Sequence, residues 1–120
     1  MLPRAAVARD VLPLALRDRG ACVDVVEAYR TVIPESAARL AEQIFEGSHK
    51  PDWITFTSSS TVQNFVKITG AAALDGVKVA SIGPVTTATA KKLGIPVTVE
   101  ADPYTTDGLV AAITNGHAVI

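Results

Sequence analysis

Residues 51–65 read PDWITFTSSSTVQNF, and the fold turns on how this stretch is parsed. Trp53, Ile54, Thr55, Phe56 and Thr57 are β-branched or aromatic without a break, the composition of a strand covered on both faces in a parallel sheet. Ser58, Ser59, Ser60 and Thr61 follow, and then Val62, Phe65 and Val66 fall on one helical face. The stretch predicts a strand, a sharp hydroxyl-rich turn and a helix. Such a junction suits an anion: the first N–H groups of a helix lack intrahelical acceptors, and the helix dipole adds partial positive charge there.

The same punctuation recurs downstream. Residues 77–82 (VKVASI) read as a second strand, broken by Gly83 and Pro84, and Thr86 and Thr87 precede a helix through Ala88, Ala90 and Leu93 that Gly94 and Pro96 stop. A third round runs from a strand at 97–99 through Tyr104, Thr105 and Thr106 into a helix over 107–113, with Asp107 in its first turn and Asn115 and Gly116 as its cap. Upstream, Ala37, Leu40, Ala41, Ile44 and Phe45 form a clean helical stripe, opened by Pro34, Glu35 and Ser36 and closed by Gly47. Residues 22–28 alternate only partially, as at a sheet edge or in a segment crossing between bodies, and end at Tyr29, Arg30 and Thr31. Residues 5–19 carry Ala8, Val11, Leu12, Ala15 and Leu16 at helical spacing. Pro13 interrupts them, and since an interior proline costs about 3 kcal/mol, a kink or a late helix start is expected. Gly20, Gly47, Gly70, Gly94 and Gly116 all follow predicted helices, where a left-handed residue is wanted.

Strands alternating with helices imply an α/β fold with a parallel sheet, right-handed crossovers and flanking helices. Every strand-to-helix turn then lies at the carboxyl edge, so the turns at Ser58, Ser59 and Ser60, at Gly83, Pro84 and Thr86, and at Tyr104, Thr105 and Thr106 would share one rim. The competing reading makes each hydroxyl a helix N-cap, worth about 1 kcal/mol to its own helix and nothing to a ligand. None of the three turns places a Lys or Arg, which favours a ligand held through backbone N–H groups.

Composition narrows the function classes. With 48% hydrophobic and 19% charged residues in 120, the chain can bury a real core. A net charge of -1, with 11 scattered Lys and Arg, leaves no footprint for nucleic acid. Cys22 is the sole cysteine, and His49 and His117 are isolated, so neither an internal disulfide nor a metal site is expected. No apolar run approaches the roughly 20 residues of a membrane span and residues 1–4 are no signal peptide, so a cytoplasmic protein is expected. No GxGxxG or GxxxxGK[ST] follows any predicted strand, which speaks against a dinucleotide or flavin site.

The segments ITFTSSSTVQNF, VKVASIGPVTTATAKKLGI and VTVEADPYTTDGLVAAI, preceded by ARDVLPLALRDRGACVDVVEAYRT, resemble the second half of uroporphyrinogen-III synthase across nearly the whole chain. The most specific pieces are the turn Ile82-Gly83-Pro84-Val85-Thr86 and the strand end Tyr29-Arg30-Thr31. The resemblance implies a cofactor-free hydro-lyase of tetrapyrrole biosynthesis that cyclises hydroxymethylbilane to uroporphyrinogen III, inverting the last pyrrole ring and releasing water. It also implies two flavodoxin-like (Rossmann-like) domains joined by a two-stranded ladder, with substrate in the cleft between them. Carried over by position, Tyr29 matches a cleft tyrosine that donates a proton to, or orients, the departing hydroxyl, a feasible task for a phenol. The plainer reading of Tyr29 is a strand-end tyrosine with a solvated hydroxyl. Ser58 and Thr86 match a cleft serine and threonine; Ser59 and Ser60 share the first turn, although relatives often have proline at the position of Ser59. A rival from another class is a non-catalytic α/β module that binds a small anion without needing Tyr29.

The same resemblance assigns residues 1–31 to the last helix of a second domain and a crossover strand, and residues 32–120 to the C-terminal part of the first domain. A full synthase is considerably longer, so the chain is expected to be a fragment with little activity alone. The strand at 53–57 would then lack a neighbour, and a bare, hydrophobic edge predicts self-association or domain swapping. Light scattering at high protein concentration checks this: an associated species is expected, and a compact monomer contradicts it.

Overall fold

The structure, a computed structural model, describes residues 1–6 and 9–115, and its chain divides into two compact units, Met1–Pro34 and Glu35–Ile120. The first unit is one strand–helix–strand turn: β1 (Leu2–Ala5), α1 (Val11–Asp18) and β2 (Val25–Tyr29). β1 and β2 run parallel, with Leu2 opposite Val25 and a register slip between Arg4 and Ala5. A helix over 5–19 is therefore corrected. Residues 2–5 pair as a strand, and the helix starts late, so that Pro13 falls in its first turn, where a missing N–H removes no intrahelical bond. Pro13 is buried while Val11, Leu12 and Leu14 stay exposed within the unit; Ala8, part of the predicted stripe, lies outside the described residues. β2 starts at Val25 rather than at Cys22.

The second unit is a three-layer α/β arrangement. Its helices are α2 (Ala37–Phe45), α3 (Ser59–Thr69), α4 (Pro84–Lys92) and α5 (Thr106–Asn115), and its strands are β3 (Trp53–Phe56), β4 (Lys78–Ser81) and β5 (Val99–Glu100). The strands are parallel in the order β3-β4-β5, with Ile54 opposite Val79 and Ala80 opposite Val99. Alternation sends the side chains of β4 to opposite faces. Val79 joins Phe56, Val62, Ala90 and Phe45 in a core beneath α2, α3 and α4. Ala80 joins Val99, Ala101 and Leu109 beneath α5, with Trp53 packed against them. Phe65 meets Phe45 and Phe56 edge-on, with ring centroids 5.3 and 5.7 Å apart, which locks α2 and α3 to the first face.

The fold class is as expected: parallel strands flanked by helices, consistent with a flavodoxin-like fold. The expected burial of residues 53–57 on both faces is corrected. β3 is an edge of the described sheet, and although Phe56 is 3% exposed, Thr55 and Thr57 are open. The strand enclosed on both faces is β4, where Val79, Ala80 and Ser81 are at most 1% exposed. β5 begins at Val99 rather than Val97, although the Thr98 N–H already donates to the Val79 carbonyl at 2.8 Å. A 3-10 turn at Ala71–Leu74 that no periodicity announced buries Leu74 between α3 and β4. Gly20, Gly70 and Gly94 take the expected positive φ after their helices, whereas Gly47 does not, and Gly116 lies outside the described residues. What keeps Gly47 small is instead the Gln43 carbonyl oxygen, 2.8 Å from where a Cβ would sit.

No described helix is long and apolar enough to cross a membrane, and among the described residues no three His, Cys, Asp or Glu side chains gather as a metal would need. Because β4 carries both cores, Val79→Ala is expected to cost about 2 kcal/mol of unfolding free energy by denaturant titration. Thr55→Ala on the exposed edge should cost under about 0.5 kcal/mol; equal losses would contradict this division of labour.

Candidate functional site

Parallel pairing sets the ends of β3, β4 and β5 along one edge, and each is followed by a turn into α3, α4 or α5. Ser58, Gly83, Thr86 and Thr106 all lie in or just past these turns. The three turns are also tied to one another. Ser59 Oγ donates to the Val85 carbonyl at 3.4 Å, and Thr89 Oγ1 lies 3.0 Å from Ser59 Oγ and 3.2 Å from that carbonyl, joining the starts of α3 and α4. Gly83 sits against the Tyr104 ring, where an added Cβ would stand 3.5 Å from Cγ, which joins the second turn to the third.

Each helix start is built differently. Ser58 is extended, and its Oγ accepts the Thr61 N–H at 3.2 Å, so it is the N-cap of α3. Its own carbonyl accepts from Thr61 Oγ1 at 2.7 Å, and Ser60 Oγ lies 3.1 Å from Ser58 Oγ. In α4, Pro84 at the first helical position has its φ preset, and the Gly83 N–H is already engaged by Ser81 Oγ at 3.3 Å. Thr86 is not at the open mouth of this turn. It sits inside the first turn of α4 and is 4% exposed, because α4 begins at Pro84 rather than after the threonines. In the third turn the residue that caps is Thr105, whose Oγ1 accepts the Gly108 N–H at 3.0 Å, while Thr106 is the exposed first residue of α5. A Cβ on Gly108 would collide with the Pro103 carbonyl oxygen, so α5 can approach this turn only with glycine there.

What these bonds leave over is a set of backbone donors. Among the described residues the N–H groups of Ser59 and Ser60 in α3, Val85 and Thr86 in α4, and Thr106 and Asp107 in α5 have no intramolecular acceptor. They are the orphan donors of three helix N-termini, with no cationic side chain in any of the turns. The site contains residues that sequence reasoning passed over: Ser81, Thr89 and Glu100. Glu100 brings a carboxylate to the end of β5, where Thr87 Oγ1 donates to its Oε1 at 2.6 Å. Only pairing register could have placed Thr89 beside Ser59, since 30 residues separate them.

Tyr29 belongs to the first unit. It is the last residue of β2, 63% exposed, and its carbonyl accepts the Ala6 N–H at 2.7 Å. Two open grooves of the second unit, of about 360 and 450 Å³, involve no rim residue: one lies between α2 and the end of α3, the other beside Asp75, Gly76 and Gly94.

Comparison with known proteins agrees on one family. The family model described as uroporphyrinogen-III synthase HemD matches residues 1–111. A protein of Methanothermobacter thermautotrophicus, described as a candidate uroporphyrinogen-III synthase, is 42% identical over 120 residues, covering 93% of this chain and 47% of its own. The uroporphyrinogen-III synthase of Synechococcus elongatus is 38% identical over 112 residues, covering 88% of this chain and 42% of its own, and that of Chlorobaculum parvum 37% over 81, covering 65% and 32%. The chain thus spans under half the length of these relatives.

Capping and ligand binding separate experimentally at the first turn. Ser58→Ala is expected to lower unfolding free energy by about 1 kcal/mol and Ser58→Gly by only a few tenths, measured by thermal or denaturant unfolding. Equal losses from the two changes would mean that Ser58 is not the cap.

Proposed function

Because this chain belongs to the uroporphyrinogen-III synthase family, we propose that it carries one wall of a synthase cleft that cyclises hydroxymethylbilane to uroporphyrinogen III with inversion of ring D and loss of water. The observation that carries this reading is the row of six unengaged backbone N–H groups at three linked helix starts. The substrate is a linear tetrapyrrole rich in carboxylates. Backbone donors at helix N-termini hold carboxylates without the mobile counter-charge of Lys or Arg, so several contacts along one rim would fix the curled chain in which the two ends meet. Ser58 orders the first turn, Ser59 and Ser60 supply donors from it, Gly83 lets the second turn lie against Tyr104, and Thr86 and Thr106 supply donors from the other two.

Tyr29 is the proton donor for the departing hydroxyl in this reading. A phenol can hand its proton to hydroxide leaving as water and recover one from the substrate's pyrrole carbon after ring closure. No cofactor is required, since the leaving group is water and the new bond forms within the substrate. The protein acts in the cytoplasm and engages neither nucleic acid nor membrane. By itself the 120-residue chain turns over little or no substrate, because one wall of a cleft binds ground state and transition state alike only weakly. The chain also associates with itself through the open edge of β3. The second reading, an anion-binding module without chemistry, rests on the same rim but gives Tyr29 no task.

Two measurements test this. Ser60→Asp places a negative charge at the start of α3, so it should raise stability by about 0.5 kcal/mol through the helix dipole yet weaken binding of uroporphyrinogen III about tenfold. Unchanged affinity would remove the rim from substrate binding. In a full-length synthase carrying these 120 residues, Tyr29→Phe should abolish formation of the type III isomer while leaving affinity intact. Full turnover by that variant would remove Tyr29 from the proton-donor role.

A further inference from the structure

We propose that Glu100 is a specificity-determining residue of the rim, a fixed acceptor for a pyrrole N–H of the tetrapyrrole. Pairing register places it: Glu100 stands opposite Ser81, and the Ala101 N–H donates to the Ser81 carbonyl at 2.8 Å. Alternation puts Ser81, and Glu100 beside it, on the same face of the sheet as Val79, the face that α4 covers. Ser81 Oγ donates to the Gly83 carbonyl at 2.9 Å and engages the Gly83 N–H at 3.3 Å, so Glu100 flanks the residue that holds the second turn. Its carboxylate therefore belongs to the same rim as the helix starts.

That carboxylate is aimed by a buried hydroxyl. Thr69, Thr89 and Thr114 donate to the carbonyl four residues back, at 3.3, 3.2 and 2.8 Å, the ordinary habit of a threonine within a helix. Thr87, 6% exposed, instead gives its proton to Glu100 Oε1 at 2.6 Å. Among the described residues no other donor reaches the Glu100 carboxylate, and no lysine or arginine pairs with it. Nor is Oε2 shut away, because among those residues the one buried side-chain polar atom without a partner is Arg4 Nε. A reachable carboxylate oxygen on this rim repels the same carboxylates that the backbone donors attract, so a ligand gains from it only by bringing a donor. The donors repeated along a tetrapyrrole are its pyrrole N–H groups, and a hydrogen bond from one of them to a carboxylate is charge-assisted. The rim then reads two features at once: backbone N–H groups take the acid side chains, and Glu100 takes a ring N–H and rejects anions that have none.

This deepens the reading of the rim as a tetrapyrrole site and rests on it, and two probes make the two fail separately. Uroporphyrinogen III, kept anaerobic, carries carboxylates and pyrrole N–H groups, whereas mellitate (benzenehexacarboxylate) carries carboxylates alone. Dissociation constants of the 120-residue chain for both are measured by isothermal titration calorimetry. Glu100→Val should weaken uroporphyrinogen III about tenfold, the loss of one hydrogen bond to a charged group. The same change should tighten mellitate about threefold by removing a like charge. Circular dichroism should stay native, since Thr87 can turn back to the Gly83 carbonyl as Thr89 and Thr114 do to theirs. Thr87→Val preserves shape and keeps the charge but not its aim, so it should weaken uroporphyrinogen III about threefold and leave mellitate unchanged. Both probes weakened alike by Glu100→Val would mark a structural role and overturn the proposal; both tightened would mark plain repulsion and overturn it too. Unchanged uroporphyrinogen III affinity in both variants, with the wild-type chain binding it, overturns the role of Glu100 and leaves the rim standing. A wild-type chain that binds neither probe overturns the rim and this proposal together.

Discussion

The parallel backbone ladder through β4 is the constraint on which the rest of this structure depends. β4 bonds to β3 on one side and β5 on the other, and its side chains are almost wholly buried on both faces. Parallel strands force each connection to cross over and each helix to begin at the same edge. The three hydroxyl-bearing turns are therefore neighbours because of backbone pairing and not because of any attraction between them. Side-chain bonds such as Thr89 to Ser59 then refine the spacing to hydrogen-bond accuracy.

Helix starts so gathered carry an electrostatic consequence. Each contributes partial positive charge and two N–H groups beyond those its cap consumes. Ser58 and Thr105 each satisfy one donor of their helix, so capping and ligand binding are not exclusive readings of the same residues. The cap orients the first turn and the remaining donors point onward. Asp107, in the first turn of α5, stabilises its helix through the same dipole and makes the third turn less receptive to an anion than the first.

Much of this was legible in the sequence, because period, composition and punctuation agreed. The stripe of Ala37, Ala41 and Phe45 gave its helix to the residue, and WITFTSSST marked both the strand and the turn. What was misread followed from long-range geometry. Burial of β3 depends on what covers it, which composition cannot report, so a run that reads as covered on both faces leaves Thr55 and Thr57 exposed. Leu2 to Ala5 form a strand only because Val25 to Tyr29 lie beside them. Thr86 reads as a turn residue because Pro84 breaks the preceding strand, yet the same proline also opens a helix. Thr105 and Thr106 are adjacent threonines, and only the backbone angle of the turn decides which of them caps.

The central claim is that a polycarboxylate tetrapyrrole is held by main-chain amides at the carboxyl edge of this sheet. Amide chemical-shift mapping of the 15N-labelled chain titrated with uroporphyrinogen III tests it most directly. Saturable shifts at Ser59, Ser60, Val85, Thr86 and Thr106, with Gly76 and Gly94 at the opposite end of the sheet unmoved, are the predicted result. Shifts confined to the groove beside Gly76 and Gly94, or to that between α2 and α3 around Arg39 and Thr69, would contradict it.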